Sequence, residues 1–431
     1  MIVSIQPSTI SGIVRAPASK SVMQRACAAA LIRGGISFIH HPGDSSDERA
    51  ALDVIGQLGA EIKMVDGLMQ VESRGVIPSG ETLNCGESGL CARMFTPLAA
   101  LSPVELTITG WGSLLSRPMD FFDEVLPQLG VQTSSRGGKL PLQLRGPLQP
   151  KDITIDGSLS SQFLTGLLFA YAAAEASGVT ISVTGLKSSP YIHLTLEVME
   201  AFGLDVPVRE GYSRFLFTGK RRRLTDEAVH FTVEGDWSGA AFLLVAGAIA
   251  GRVSVDGLRQ NSSQADVKIL EVLQLAGAKL SWQDQSIQVE HQPLRAFHFD
   301  ATDCPDLFPP LVALAANCTG RSVIRGLHRL KFKESDRGIT LQKEFEKLGI
   351  SITFSGDEMH VDSCGHPVVK EPVLDSHHDH RIAMACATAC LCANHPVAIR
   401  NADAVRKSYP GFWDHLAQLN AAVSLEPFTT G

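Results

Sequence analysis

Seven residues, Lys331-Phe332-Lys333-Glu334-Ser335-Asp336-Arg337, put three cations and two acids directly before Gly338 to Leu348, whose apolar spacing predicts a helix. Aligned peptides leave roughly half a positive charge at a helix N-terminus, which disfavours Lys and Arg there unless an anion sits among them. An anionic ligand held by the free helix N–H groups and the cations resolves the conflict, and Glu334 is then left over as an acid or base. The plain alternative is a solvated loop with a surface Glu334–Arg337 pair, which contributes little.

The elements that must position such residues follow from an internal repeat. An amphipathic helix ending in Gly and followed by strand-like alternation recurs as ALDVIGQLGAEI, FDEVLPQLGVQT, LEVMEAFGLDVP, ILEVLQLAGAKL and LQKEFEKLGISI. Their glycines, Gly59, Gly130, Gly203, Gly277 and Gly349, are spaced 71, 73, 74 and 72 residues apart, and Asn420 of a sixth copy lies another 71 on. Gly and Asn are the residues a left-handed helix C′ position prefers.

A second helix recurs midway, in SKSVMQRACAAALI, SGLCARMFTPLAAL, SSQFLTGLLFAYAAA, WSGAAFLLVAGAIA, PDLFPPLVALAANC and DHRIAMACATACLC. Each is nearly apolar past its first turn, which predicts burial. Polar residues such as Ser19, Lys20, Arg93, Ser160, Gln162, Asp236, Asp306 and Arg381 collect at the N-terminal turns, as expected if those ends line one polar site. With the alternating runs VELTITG, DITIDG, GVTISVTG, RVSVDGL, RSVIRGL and HPVAIRN, the unit reads as strand, buried helix, strand, amphipathic helix and two strands. Six such βαβαββ units form an α/β chain of two domains. The charged passage Lys220 to Glu227 separates the third unit from the fourth, giving expected domains of 15–228 and of 1–14 with 229–431.

Composition narrows the function. At 431 residues, 44% hydrophobic and 19% charged, the chain is a globular protein too long for one core. A net charge of −7 argues against a nucleic-acid partner, and the one basic run, Lys220 to Arg223, reads as a solvated turn. The apolar runs Phe163 to Ala174 and Ala240 to Ala250 are too short for the roughly 20 residues of a membrane span. MIVSIQPSTISG does not look like a signal peptide, and nine cysteines without a CxxC pair suit a reducing compartment, so a cytoplasmic setting is expected. No phosphate-binding GxxxxGK[ST] loop occurs, and Gly110-Trp111-Gly112 lacks the third Gly of a dinucleotide fingerprint. Adjacent residues rarely converge on one ion, so His377-His378-Asp379-His380 reads as the polar start of a helix, with no metal expected.

Eight ordered motifs then show a resemblance: SKSVMQR at Ser19, SGLCAR at Ser88, SRP at Ser116, DGSLSSQFLTG at Asp156, PDLFP at Pro305, KFKESDR at Lys331, DHRIAMA at Asp379 and RKSYPGF at Arg406. In order and spacing they resemble the 5-enolpyruvylshikimate-3-phosphate synthase family over essentially the whole chain. The resemblance implies two inverse α/β-barrel-like domains, each of three units, with the active site in the cleft between them and closure about the joining strands. It implies transfer of the enolpyruvyl group of phosphoenolpyruvate to the 5-hydroxyl of shikimate 3-phosphate, with release of phosphate. No cofactor, nucleic acid, membrane or second subunit is implied.

By resemblance, Lys20, Gly89, Arg93, Arg117, Gln162, Arg337, Arg381 and Lys407 would surround phosphoenolpyruvate. Ser21, Arg25, Ser160, Ser161, Gln162, Ser188, Tyr191, Asp306, Arg329 and Lys333 would hold shikimate 3-phosphate. Asp306 would take the hydroxyl proton and Glu334 would protonate the methylene carbon, with Lys20 participating. From residue type alone, Asp306 and Ser160 are equally explained as helix caps. The chain departs from the family pattern at four positions: Glu87 and Leu90 stand where Asn and Thr are usual, Ser189 for a common Lys, and Arg329 for an Asn. UDP-N-acetylglucosamine enolpyruvyltransferase is the nearest alternative, but its reactive Cys has no counterpart between Trp111 and Arg117. A non-catalytic anion-binding homologue would not need the carboxylate pair, and an RNA-terminal-phosphate cyclase has no support in charge or motifs.

Overall fold

The computed structural model describes residues 1–219, 227–283 and 286–426, so the basic run Lys220 to Arg223 lies outside the described residues. The chain forms two units, Ala18–Val233 and Met1–Pro17 with Glu234–Gly431. The second crossing lies a few residues beyond the one expected, because Val229–Thr232 is a strand of the first unit, parallel to Gly35–His40.

Among the described residues, each unit holds three four-stranded sheets. The second sheet of the first unit shows the plan: Thr82–Asn84 runs parallel to Glu105–Thr109, which pairs antiparallel with Leu142–Arg145, which pairs antiparallel with Gln132–Ser135. The apolar helix Gly89–Ala99 makes the crossover between the two parallel strands, and all its residues are buried. Trp237–Ala250 and His380–Ala389 are likewise buried along their whole length, as apolar patterning requires. All six alternating runs singled out above are strands.

Three strands come from distant parts of the chain. The first repeat is completed by Val229–Thr232, the fourth by Ile10–Arg15 beside Gly251–Asp256, and the sixth by Ile2–Ile5 between Val397–Arg400 and Val423–Glu426.

The spaced glycines do what their periodicity predicts. Gly59, Gly130, Gly203, Gly277, Gly349 and also Asn420 have φ between 70° and 105°. At Gly59 a Cβ would in addition overlap the Ile77 carbonyl oxygen. Gly59→Ala is therefore expected to lower unfolding stability by about 1–3 kcal/mol, read from urea unfolding. Unchanged stability would show that the helix end relaxes freely.

Candidate active site

In the second unit, the charged heptapeptide is a helix start built around one guanidinium. Asp336 is the N-cap of the helix Arg337–Lys347 and accepts from Ile339 N at 3.4 Å. Arg337, 1% exposed, donates Nη1 to Asp306 Oδ1 at 2.8 Å, Nη2 to Glu334 Oε2, and Nε to Asp379 Oδ2 at 2.8 Å. Lys333 Nζ donates to Asp306 Oδ1 at 3.0 Å, and Arg381 Nη2 lies 3.5 Å from Asp306 Oδ2. Ser335 Oγ donates to Asp379 Oδ2 at 3.0 Å, while Lys331 turns outward over the Phe332 ring. Phe332 is itself exposed. The surface-loop alternative therefore fails for Lys333, Glu334 and Arg337, while Asp336 is exposed.

Asp306 sits in the turn Pro305–Leu307, ahead of the helix Phe308–Ala315, whose N-cap is Leu307 with no side-chain cap bond. Asp306 is thus a ligand of cations. Burial pushes its carboxyl up, but Arg381, Lys333 and Arg337 together outweigh this and hold it well below the usual carboxylate range. Burial lowers Lys333 more than Asp306 raises it. Burial also lowers Arg329, against the pull of Asp303 and Asp306, which places Arg329 in the field of the same carboxylate. Lys407 Nζ donates to the His378 carbonyl oxygen at 2.6 Å, just before the helix His380–Ala389.

In the first unit, Lys20 opens the helix Lys20–Arg33 and pairs with Asp47 Oδ2 at 2.7 Å. Asp47 is fixed in the first turn of Ser46–Gln57, where Ser45 and Glu48 form a capping box. Gln24 Nε2 donates to Ser88 Oγ at 3.2 Å, joining the Lys20 helix to the N-cap of Gly89–Ala99. At that second helix start Arg93 Nη1 donates to Gln162 Oε1 at 3.1 Å, and its guanidinium lies over Phe163 at 5.0 Å. A Cβ on Gly89 would meet Arg117 Nη1 at 2.6 Å. Gly89, Arg93, Arg117 and Gln162 are therefore one cluster, in which cations crowd a helix N-terminus as an anion site requires.

Arg25 is held nearby on the same helix. It donates Nε to Thr195 Oγ1 at 2.9 Å, Nη1 to the Ser21 carbonyl at 2.8 Å and Nη2 to the Tyr191 carbonyl at 3.3 Å. Burial lowers it to about 10. Ser188 precedes Tyr191 in a left-handed conformation, φ 56°, which costs a non-glycine residue about 1–3 kcal/mol. Ser160 caps Ser161–Ala173 by accepting from Gln162 N at 3.2 Å, so the capping role holds for it whatever else it binds.

Two residues without an expected role join these clusters. Asp379 was legible only as part of a motif, yet it caps His380–Ala389 and takes two bonds from Arg337. Asp47 had a local signal, Ser45-x-x-Glu48, for its helix start but none for its pairing with Lys20. His377 Nε2 lies 2.8 Å from Glu344 Oε1, at a polar helix start. Both expected substrate sets divide between the units: Lys20, Gly89, Arg93, Arg117 and Gln162 lie in the first, Arg337, Arg381 and Lys407 in the second. Likewise Ser21, Arg25, Ser160, Ser161, Gln162, Ser188 and Tyr191 lie in the first, and Asp306, Arg329 and Lys333 in the second.

The family model for EPSP synthase (3-phosphoshikimate 1-carboxyvinyltransferase) matches residues 5–416. A 3-phosphoshikimate 1-carboxyvinyltransferase from Aeropyrum pernix is 38% identical over 422 residues, covering 98% of this chain and 96% of its own length. One from Clostridium botulinum is 33% identical, with 96% of each chain covered. The solved EPSP synthase of Acinetobacter baumannii superposes with a TM-score of 0.79 at 26% identity, over 98% of this chain and 100% of its own.

Proposed function

The chain belongs to the EPSP synthase family, and we propose that it transfers the enolpyruvyl group of phosphoenolpyruvate to the 5-hydroxyl of shikimate 3-phosphate, releasing phosphate. What carries this is the pair of carboxylates, Asp306 and Glu334, held on the single guanidinium of Arg337. A site that only bound anions would gain nothing from two acids among its cations.

In the addition step the 5-hydroxyl oxygen bonds to C2 of phosphoenolpyruvate, its proton passes to Asp306, and Glu334 delivers a proton to C3, which becomes a methyl group. In the elimination step the C2–O bond to phosphate breaks, Glu334 takes a proton back from C3, and the proton on Asp306 leaves with phosphate. Asp306 is a weak base while Arg381, Lys333 and Arg337 face it. As those cations engage substrate phosphate and carboxylate, they compensate Asp306 less, and its proton affinity rises toward what a base needs. Lys20, oriented by Asp47, adds positive charge where phosphate departs.

Arg117, Arg93, Arg337, Arg381 and Lys407 are assigned to phosphoenolpyruvate, each charged hydrogen bond contributing about 1.5–3 kcal/mol. Gly89→Ala forces the Arg117 guanidinium aside. It is expected to raise KM for phosphoenolpyruvate roughly tenfold or more in steady-state assays, while KM for shikimate 3-phosphate stays put. Equal effects on both substrates would remove Arg117 from the phosphoenolpyruvate set.

The chain carries both substrate sets itself, which supports action as a monomer, testable by sedimentation. Its nine free cysteines support a reducing, cytoplasmic setting. The deciding assay is phosphate release from phosphoenolpyruvate with either shikimate 3-phosphate or UDP-N-acetylglucosamine. Release with the first alone is expected, and release with neither would leave only an anion-binding protein.

A further inference from the structure

Glu87 puts a negative charge at the mouth of a cluster otherwise made for anions, two residues before Gly89. Its side chain is half-buried and turned onto a neighbouring loop. Glu87 Oε1 accepts from Ser113 N at 3.0 Å, across a gap of 26 residues. The turn it grips, Gly112–Ser116, leads straight into Arg117. Ser113 Oγ in turn accepts from Arg117 Nη2 at 3.2 Å. Beside it, Trp111 N donates to the Gly86 carbonyl at 2.9 Å.

Gly112 shows how closely the carboxylate is packed against this turn. Its φ is 57°, and a Cβ there would overlap Glu87 Oε1. Any residue but Gly at that position would displace the carboxylate, so the glycine and the acid belong to one device.

We propose that Glu87 is a positioning residue for Arg117: by holding Ser113 N it sets the Gly112–Ser116 turn, and through Ser113 Oγ it fixes the guanidinium beside Gly89. The proposal rests on the assignment of Arg117 to phosphoenolpyruvate. It predicts that a hydrogen-bond acceptor at position 87 suffices, because the bond is made to a neutral backbone N–H. Glutamine can present the same oxygen to Ser113 N. It also removes an anion from the neighbourhood of an anionic substrate.

The test compares wild type, Glu87→Ala, Glu87→Gln and Ser113→Ala by steady-state phosphate release and by calorimetric titration with phosphoenolpyruvate alone. Thermal midpoints check that each variant is folded. Glu87→Ala is expected to raise KM for phosphoenolpyruvate about tenfold with kcat within about threefold of wild type, and KM for shikimate 3-phosphate unchanged. Glu87→Gln is expected to restore KM for phosphoenolpyruvate to wild type or below. Ser113→Ala should reproduce part of the defect of Glu87→Ala, and the double variant should be no worse than the larger single one, since both act on one chain of bonds. Equal defects in Glu87→Ala and Glu87→Gln would overturn the proposal in favour of a charge effect, and no defect in either would overturn it outright. If wild type releases no phosphate, the enolpyruvyl-transfer assignment fails by itself. Calorimetry with phosphoenolpyruvate then decides the role of Glu87, with the same order of variants expected.

Discussion

Glu334→Gln is expected to lower turnover by about a hundredfold or more while leaving affinity for shikimate 3-phosphate unchanged. The substitution is nearly isosteric, and the amide oxygen still accepts from Arg337 Nη2, where the carboxylate oxygen now sits. Arg337 keeps Asp379 and Asp306 as full counter-charges, so the helix start should stay folded. What is lost is a group that can give C3 a proton and take one back. Rapid-quench and steady-state measurements check the rate, and calorimetry checks the binding. Turnover near that of wild type would remove Glu334 from proton transfer.

Asp306→Asn is expected to cost turnover on the same scale, about a hundredfold or more, and to weaken shikimate 3-phosphate binding about tenfold as well. The difference from Glu334 follows from position. Asp306 is the shared counter-ion of Lys333, Arg337 and Arg381. Neutralising it removes both the base for the hydroxyl proton and the charge that aligns Lys333, itself assigned to the sugar substrate. Arg337 retains two of its three carboxylates, Glu334 and Asp379, so loss of activity with an unchanged thermal midpoint separates this effect from unfolding. Unchanged sugar binding by calorimetry would count against contact between Asp306 and the hydroxyl.

The legible parts of the fold were local in the chain. A left-handed helix end asks for Gly or Asn at one position, so a spacing of about 72 residues exposed all six repeats, from Gly59 to Asn420. An all-apolar helix such as Trp237–Ala250 announces its own burial. Pairing partners are another matter. Nothing in IVSI at Ile2–Ile5 says that it closes the sixth repeat's sheet, or in Val229–Thr232 that it returns to the first, because edge-to-edge pairing depends on chain topology rather than composition.

The site divides along the same line. Asp336, left without a role in the sequence, carries an ordinary N-cap signal and proves to be a cap. The bonds from Arg337 to Asp379 and from Lys20 to Asp47 join residues 42 and 27 apart, and residue type could not announce them. Glu87 shows the same limit from the other side. As a departure from the family pattern it was conspicuous, but its partner, Ser113 N, is a backbone atom and leaves no trace in residue types.

The most direct test is the fate of the C3 hydrogens when the reaction is run in deuterium oxide. Proton delivery to C3 makes a methyl group carrying one solvent deuterium, and loss of either of its two protium atoms leaves that deuterium in the enolpyruvyl methylene of the product. For wild type with phosphoenolpyruvate and shikimate 3-phosphate, proton NMR should show deuterium in that methylene. Product formed at the normal rate with a fully protiated methylene would contradict addition and elimination through Asp306 and Glu334.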